Sequence, residues 1–286
     1  MSWTTFHCEN PDFKVRSIPD DTTFAVRRAA LQGSEVFKDM FALCDPTAAL
    51  DSGQDDLELH ERSGDLETLL LLLHSPPAPP TKLPSADKFR STAYDPVTVI
   101  PLPLLLALFF PLADKYMLAD AITRELRAHL VANAPAHALE VYSFAARHGM
   151  EAEAARASQF VRPVASYRFA EITVLPDVVA YHKLVRLQDF RVKALRGLLL
   201  AEDIFPHGYG ECPSHGGETS AWWDRQRKAL VGRIETVTDV AGEMDALTDT
   251  LRDCKICHKA CVAAVEMLAY KCKKLPKRLD QLPNVY

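Results

Sequence analysis

Hydrophobic and polar positions alternate with a period of two over residues 12–17 and 22–27. Phe13 and Val15 are separated by Lys14 and Arg16, and Phe24 and Val26 alternate with Thr23, Ala25 and Arg27, the pattern of two half-buried strands. Pro19-Asp20-Asp21 between them reads as a turn. From Ser34 the period changes. Phe37, Met40, Phe41 and Cys44 fall at i, i+3, i+4 and i+7, one apolar helical face. Ser34 is placed to accept a hydrogen bond from a free amide of the first turn, and Glu35 suits the positive end of the helix dipole. A polar loop at 45–56 leads to a short third strand, Leu57-Glu58-Leu59.

Beyond it the chain is helical. Leu66, Leu69, Leu70 and Leu73 form a face that Leu71 and Leu72 widen, with Ser63 as N-cap, and Phe37 and Met40 are expected to pack on it. Residues 75–100 are a Pro-rich polar insertion, which proline's fixed φ and missing amide exclude from helix and central strand, so disorder is expected. Helical spacing resumes over 102–133, with Pro111 expected to kink or restart the helix and Ile122, Leu126 and Leu130 facing inward. Pro135 opens a further helix that Gly149 stops, with Leu139, Tyr142 and Ala146 inward. Asp177 caps a long helix with Val178, Tyr181, Val185, Val192, Leu195 and Leu199 on one broad face. After a loop rich in Gly and His, helices follow at 221–234 and 241–274, the second broken near its cysteines. The fold class is α+β with an all-α C-terminal region.

Several of these stretches resemble a known family. Asp12, Ser17, Asp20 or Asp21, Phe24, Val26, Leu31, Ser34, Phe37, Asp39, Met40 and Phe41 stand at the spaced positions of the opening of a BTB (POZ) domain of the fungal, basidiomycete type, with Arg27 where that family usually has His. LADKYML at 112–118 is similar to the family's A-x-K-Y-x-M helix, and Leu126-Arg127 to its L-R-x-x-L pattern. VYSFAARHGMEAEAARAS at 141–158 is similar to the signature that closes the fungal domain. The resemblance implies a BTB/POZ fold, a small β-sheet flanked by a helical cluster, over 12–132 with the insertion near 75–100. It implies a helical extension over 133–170 and a helical region over 171–286. It also implies a non-enzymatic protein–protein interaction module, an adaptor or scaffold that oligomerises through its first helix and, in some relatives, attaches to a cullin ubiquitin-ligase scaffold as a substrate adaptor.

Composition narrows the field. Of 286 residues, 48% are apolar and 25% charged, and the net charge of −5 gives no basic field for nucleic acid. The longest uncharged apolar segment, 100–113, is 14 residues with three prolines, short of the roughly 20 a spanning helix needs. No membrane segment is therefore expected. Seven cysteines in no even framework fit a reduced chain, cytoplasmic or nuclear.

Candidate chemistry is confined to one constellation. Cys212-x-x-His215 and Cys254-x-x-Cys257 are two pairs able to bite one zinc ion, with sulfurs then about 3.5–4 Å apart. Against zinc stands the reading that Cys257, Cys261 and Ala264, at helical spacing, are ordinary core residues. His258 and Cys261 are substitute ligands. The run from Lys271 to Arg278 reads as a solvated helix end or as a targeting patch. Trp222-Trp223 read as one core residue and one half covered. No phosphate loop or catalytic motif supports an enzyme. A partner or a second copy is expected at the edge of the Asp12–Arg16 strand, including Lys14, and on the outer face of Glu35, Lys38 and Asp39, giving a weak homodimer. The alternative reading is a nuclear regulator whose zinc-stabilised C-terminal region contacts nucleic acid.

Overall fold

A computed structural model describes residues 6–43, 56–84, 93–205 and 211–283. The chain divides into two units, Met1–His137 and Ala138–Tyr286. The helices at 138–158, expected to close the N-terminal domain, fall in the second unit.

In the first unit the alternating segments form β1 (Phe13–Ser17) and β2 (Thr22–Val26), paired antiparallel from Phe13–Val26 to Ser17–Thr22. β3 (Asp56–Leu59) joins parallel to β1, so the order is β2-β1-β3. The expected free edge at Asp12–Arg16 is therefore corrected: β1 is the central strand, its backbone groups paired on both sides. Arg16 is held by Asp21 at 2.5 Å and Glu58 at 3.1 Å.

Polar side chains tie the sheet to its helices. Asp12 Oδ1 accepts the Arg28 amide at 2.7 Å, the start of α1 (Arg28–Leu31). Asp20, in the hairpin turn, accepts the Ser63 amide at 2.5 Å and so caps α3 (Ser63–His74). Ser63 is the first residue of that helix and not its cap. Ser34 caps α2 (Glu35–Leu43) as expected, accepting from the Phe37 amide at 3.3 Å, and its hydroxyl donates to the Tyr116 carbonyl at 2.5 Å.

On α2 only Phe37 is fully buried, a burial worth about 1.5–3 kcal/mol. Its ring lies 5.3 Å from that of Tyr116. Met40 and Phe41 are half-buried, Leu43 is 86% exposed, and Cys44 lies outside the described residues. Phe41 meets Phe13 edge-on at 5.6 Å with the Arg28 guanidinium 4.5 Å from its ring. The expected packing of Phe37 and Met40 on the Leu66–Leu73 helix is corrected. That helix buries Leu66, Leu69, Leu70, Leu72 and Leu73, and the elements it packs on most are α1, β2 and the helix at 105–115.

The Pro-rich insertion is ordered in both described arms. Pro77 and Pro80 are buried, and the Leu83 amide donates to Ala93 while the Asp95 amide donates to Thr81, both at 2.9 Å. Of the insertion expected to be disordered at 75–100, residues 85–92 lie outside the described residues, and 75–84 and 93–100 are instead held by a helix side chain that fastens both arms. His129 Nε2 donates to the Ala78 carbonyl at 2.9 Å and its Nδ1 accepts the Ile100 amide at 3.2 Å. His129 projects from α6 (Asp120–Ala132), which buries Ile122, Leu126 and Leu130 as expected.

Regular α-helix restarts at Pro111, as expected; the proline stands in the first turn of its segment, after an irregular turn. α4 (Leu102–Leu104) runs through a π-helical turn, Leu105–Phe109, into α5 (Phe110–Lys115). The Phe110 amide bonds back to Leu105, and the wide turn absorbs the proline's missing donor. Residues 96–115 are long and apolar enough to cross a membrane by length and composition. Here Leu102, Leu105, Phe109, Phe110, Leu112 and Ala113 are buried.

The second unit opens on α7 (Ala138–Arg147), and Pro135, in the turn before it, precedes the helix. Gly149 ends α7 at φ +67, a left-handed position, and the Met150 amide closes on Ala145 at 2.8 Å before α8 (Glu151–Ser158). α9 (Phe169–Ile172) is a single turn, and α10 (Val178–Ala201) follows with Asp177 as cap, its Oδ1 accepting the Ala180 amide at 2.7 Å. The broad face expected on α10 is half corrected. Leu195 and Leu199 are buried, but Val178 is 79% exposed and Tyr181 and Val185 also face out. The small Ala180, whose carbonyl takes the Tyr142 hydroxyl at 2.8 Å, turns its own face inward, with Leu184 and Leu187.

α11 (Gly216–Val231), α12 (Val240–Thr250) and α13 (Lys255–Lys273) complete the core with α10. Leu195, Leu199, Trp223, Leu230, Met244 and Leu268 meet there. At the end of α10 the buried Glu202 pairs with Lys271 at 2.5 Å, and its carbonyl takes Trp223 Nε1 at 2.8 Å and Arg227 at 3.0 Å. Trp223 is buried and Trp222 partly exposed, as expected.

Two histidines make the first unit acid-sensitive. His74 Nε2 accepts the Arg27 amide at 3.0 Å and its Nδ1 donates to Leu70, while His129 accepts from Ile100. Each ring must be neutral, and burial depresses both below the ordinary histidine value. Their contribution is complete above the unfolded value near pH 6.5 and is lost as pH falls through it towards the depressed folded values, by about 1.4 kcal/mol per pH unit per ring. Denaturant unfolding at pH 7.5 and 5.5 is expected to show that loss. His74→Gln with His129→Asn, which keep an acceptor but do not titrate, should flatten the profile.

Candidate metal centre

Cys212 and His215 belong to one turn that runs straight into α11. The Gly216 amide donates to the Cys212 carbonyl at 2.8 Å, and the Thr219 amide to His215 at 2.9 Å. Gly216 leaves room for the Glu211 side chain, which packs over it next to Cys212. The second pair uses the same device. Cys254 is the residue before α13, and Cys257 sits in its first turn, with the His258 amide on the Cys254 carbonyl at 2.9 Å. The break between α12 and α13 falls at 251–254, where the cysteines were expected to place it.

The two turns bring the four side chains together. Cys212 Sγ is 3.7 Å from Cys254 Sγ and 3.7 Å from His215 Nδ1. Among the described residues Cys212, His215, Cys254 and Cys257 form a group whose donor atoms all lie within 4.8 Å of one another. Tetrahedral zinc–sulfur bonds of about 2.3 Å require sulfurs about 3.8 Å apart. The donor set therefore fits a tetrahedral metal ion, with all four positions supplied by protein. Cys257 is indeed buried, as the core reading expected, but it belongs to this group as well. The substitutes His258 and Cys261 do not belong to it. Cys261 is buried in the helical core beside Ala264.

Electrostatics favour the ligating forms of two thiols. The amides of His215 and Ser214 hold Cys212 below the usual thiol value. The Cys257 amide and His215 lower Cys254 to about 6. His215 is raised in turn, because its protonated ring donates to the sulfurs of Cys254 and Cys212. Burial works the other way on Cys257, pushed up to about 11, so it is the costliest thiol to ionise without a cation. Thr219, buried one helical turn after His215, lies beside Cys257 and opposes part of that rise. That contact was missed in the sequence, although the i+4 spacing from His215 is there to be read.

No protein-family model matches the chain, and no curated protein matches it.

The residues expected to meet a partner lie elsewhere, in the first unit. Lys14 and Asp39 are exposed, Lys38 pairs with Glu35 at 2.6 Å, and Asp12 and Arg16 are engaged in the contacts given above. The run at 271–278 is largely committed. Lys271 binds Glu202, Lys274 lies 4.0 Å from the Tyr270 ring, and Arg278 pairs with Asp280 at 3.0 Å.

Cobalt titration of the reduced chain is expected to give the intense visible absorption of a tetrahedral thiolate site, lost in Cys257→Ala. Thr219→Val, which removes the hydroxyl buried beside Cys257, should weaken metal binding about 10- to 100-fold while leaving the helices folded.

Proposed function

We propose that the chain is a non-enzymatic protein-interaction module, an adaptor or scaffold, with a BTB-type first unit and a second unit fastened by one structural zinc ion. The observation that carries the first half is the meeting of two distant stretches on which the family resemblance rests. Ser34 and Phe37 of the opening motif contact Tyr116 of LADKYML, through the Ser34 hydroxyl and the Phe37 ring. The Glu35 amide donates to Met117 at 3.1 Å and the Ala119 amide to Gly33 at 2.8 Å, so the stretches are joined along their backbones. Motif residues that hold each other in place are what a shared fold requires. The second half rests on the Cys3His geometry. Four protein donors leave no open coordination position for chemistry, so the metal's work is to hold segments together.

Such a protein acts through its surface. With β1 enclosed by its neighbours, the surface moves to the outer side of α2, where Val36 and Leu43 are exposed beside the Glu35–Lys38 pair and Asp39. A second copy meeting that face would bury a modest area and give a weak homodimer. The nucleic-acid reading draws little support, because the basic run spends its charges inside the second unit.

Light scattering at rising concentration is expected to show a monomer passing to a dimer, and Leu43→Glu should shift the midpoint to higher concentration. A strict monomer at high micromolar concentration would remove self-association and leave a module for other proteins.

A further inference from the structure

The inference rests on the zinc reading above and concerns what can reach that centre. The ligands are unequally covered. Cys212 and Cys257 are 5% and 0% exposed, whereas Cys254 is only partly covered and His215 is exposed. Beside them opens a cavity of about 420 Å³, walled by His215, Cys254 and Cys257 together with Glu218, Trp222 and Asp253. A molecule of a few heavy atoms can reach a ligand sulfur from solvent.

We infer that Cys254 is an oxidation site for small peroxides, with Cys212 as its resolving thiol. The nucleophile in such chemistry is the thiolate, and metal ligation keeps Cys254 in that form. With hydrogen peroxide as oxidant, the Cys254 sulfur attacks one oxygen and the O–O bond breaks. The departing hydroxide takes a proton to become water, leaving Cys254 as a sulfenic acid. Cys212 Sγ then attacks Cys254 Sγ, the S–O bond breaks, and hydroxide leaves as a second water with a second proton. Two thiolates, one peroxide and two protons become one disulfide and two waters. His215 and Cys257 would then be the two donors left to a zinc ion, too few to retain it.

The geometry selects Cys212 as partner. Its sulfur lies 3.7 Å from that of Cys254 and comes from the facing segment, while Cys257 is fully buried in the first turn of α13. The product replaces a metal clip by a covalent one between the same two segments, so the turn at 212–215 stays fastened to the start of α13.

The test uses the full chain loaded with zinc, its metal content measured first. It is treated with equimolar hydrogen peroxide, zinc release is followed with a colorimetric chelator, and disulfides are mapped by mass spectrometry after blocking free thiols. The expected result is loss of the bound zinc with Cys212 joined to Cys254, both reversed by dithiothreitol and fresh zinc. Cys261→Ala, outside the centre, should behave as the wild type. Cys254→Ser should keep whatever zinc it binds at doses that empty the wild type; if that variant fails to load, the wild-type disulfide map decides. Zinc retained through oxidation, or a disulfide joining Cys254 to Cys257, overturns the inference and leaves the zinc reading standing. A reduced chain that takes up no zinc overturns both.

Discussion

Backbone amides and carbonyls that leave a helix or strand must find partners or cost free energy when buried. A chain with a three-stranded sheet and many short helices has a great many such ends. Here distant side chains meet that demand. Asp12 and Asp20 cap α1 and α3, Ser34 bridges α2 to Tyr116, and His74 and His129 hold the loops before α1 and α4. In the second unit Tyr142 holds the first turn of α10, and Arg191 reaches the carbonyls of Thr236 and Pro276. Burial of leucines supplies most of the driving force, but these polar contacts select how the helices are joined.

The Cys3His cluster extends the same logic to the segment that leads into α11. The turn at 211–215 is held by Gly216 and Cys212 backbone contacts and by the cluster itself. Cross-linking positions 42 residues apart, as Cys212 and Cys254 are, restricts an unfolded chain by about 4 kcal/mol in the loop-entropy picture. That is a large share of a typical domain's net stability. A metal ion held by these four donors would therefore matter to folding well beyond the few residues it touches.

Much of this was legible in the sequence. Alternation placed β1 and β2, and helical spacing placed Leu66–Leu73 and Ile122–Leu130 in the core. Paired spacing alone picked out Cys212, His215, Cys254 and Cys257. The failures share a cause. Periodicity says which face of an element is apolar and nothing of which neighbour covers it. So β1 was taken for an edge when β3 lies alongside it, and Val178, Tyr181 and Val185 were turned inward when Ala180 is. The Pro-rich arms were read as disordered because His129, the residue that fastens them, is remote in sequence.

The π-helical turn at Leu105–Phe109 also sets an angle. A π turn holds one residue more than an α turn, and each residue of an α-helix rotates the chain by about 100°. Everything after it on that helix, including Leu112, Ala113 and Tyr116, owes its azimuth to that extra residue. Removing one residue from 105–109 would restore a regular helix and swing Tyr116 away from Ser34 and Phe37, parting the two stretches that meet there. The apparent irregularity is thus a phase adjustment, and an indel there would be felt at the far side of the unit while every side chain of the α2 motif was still present.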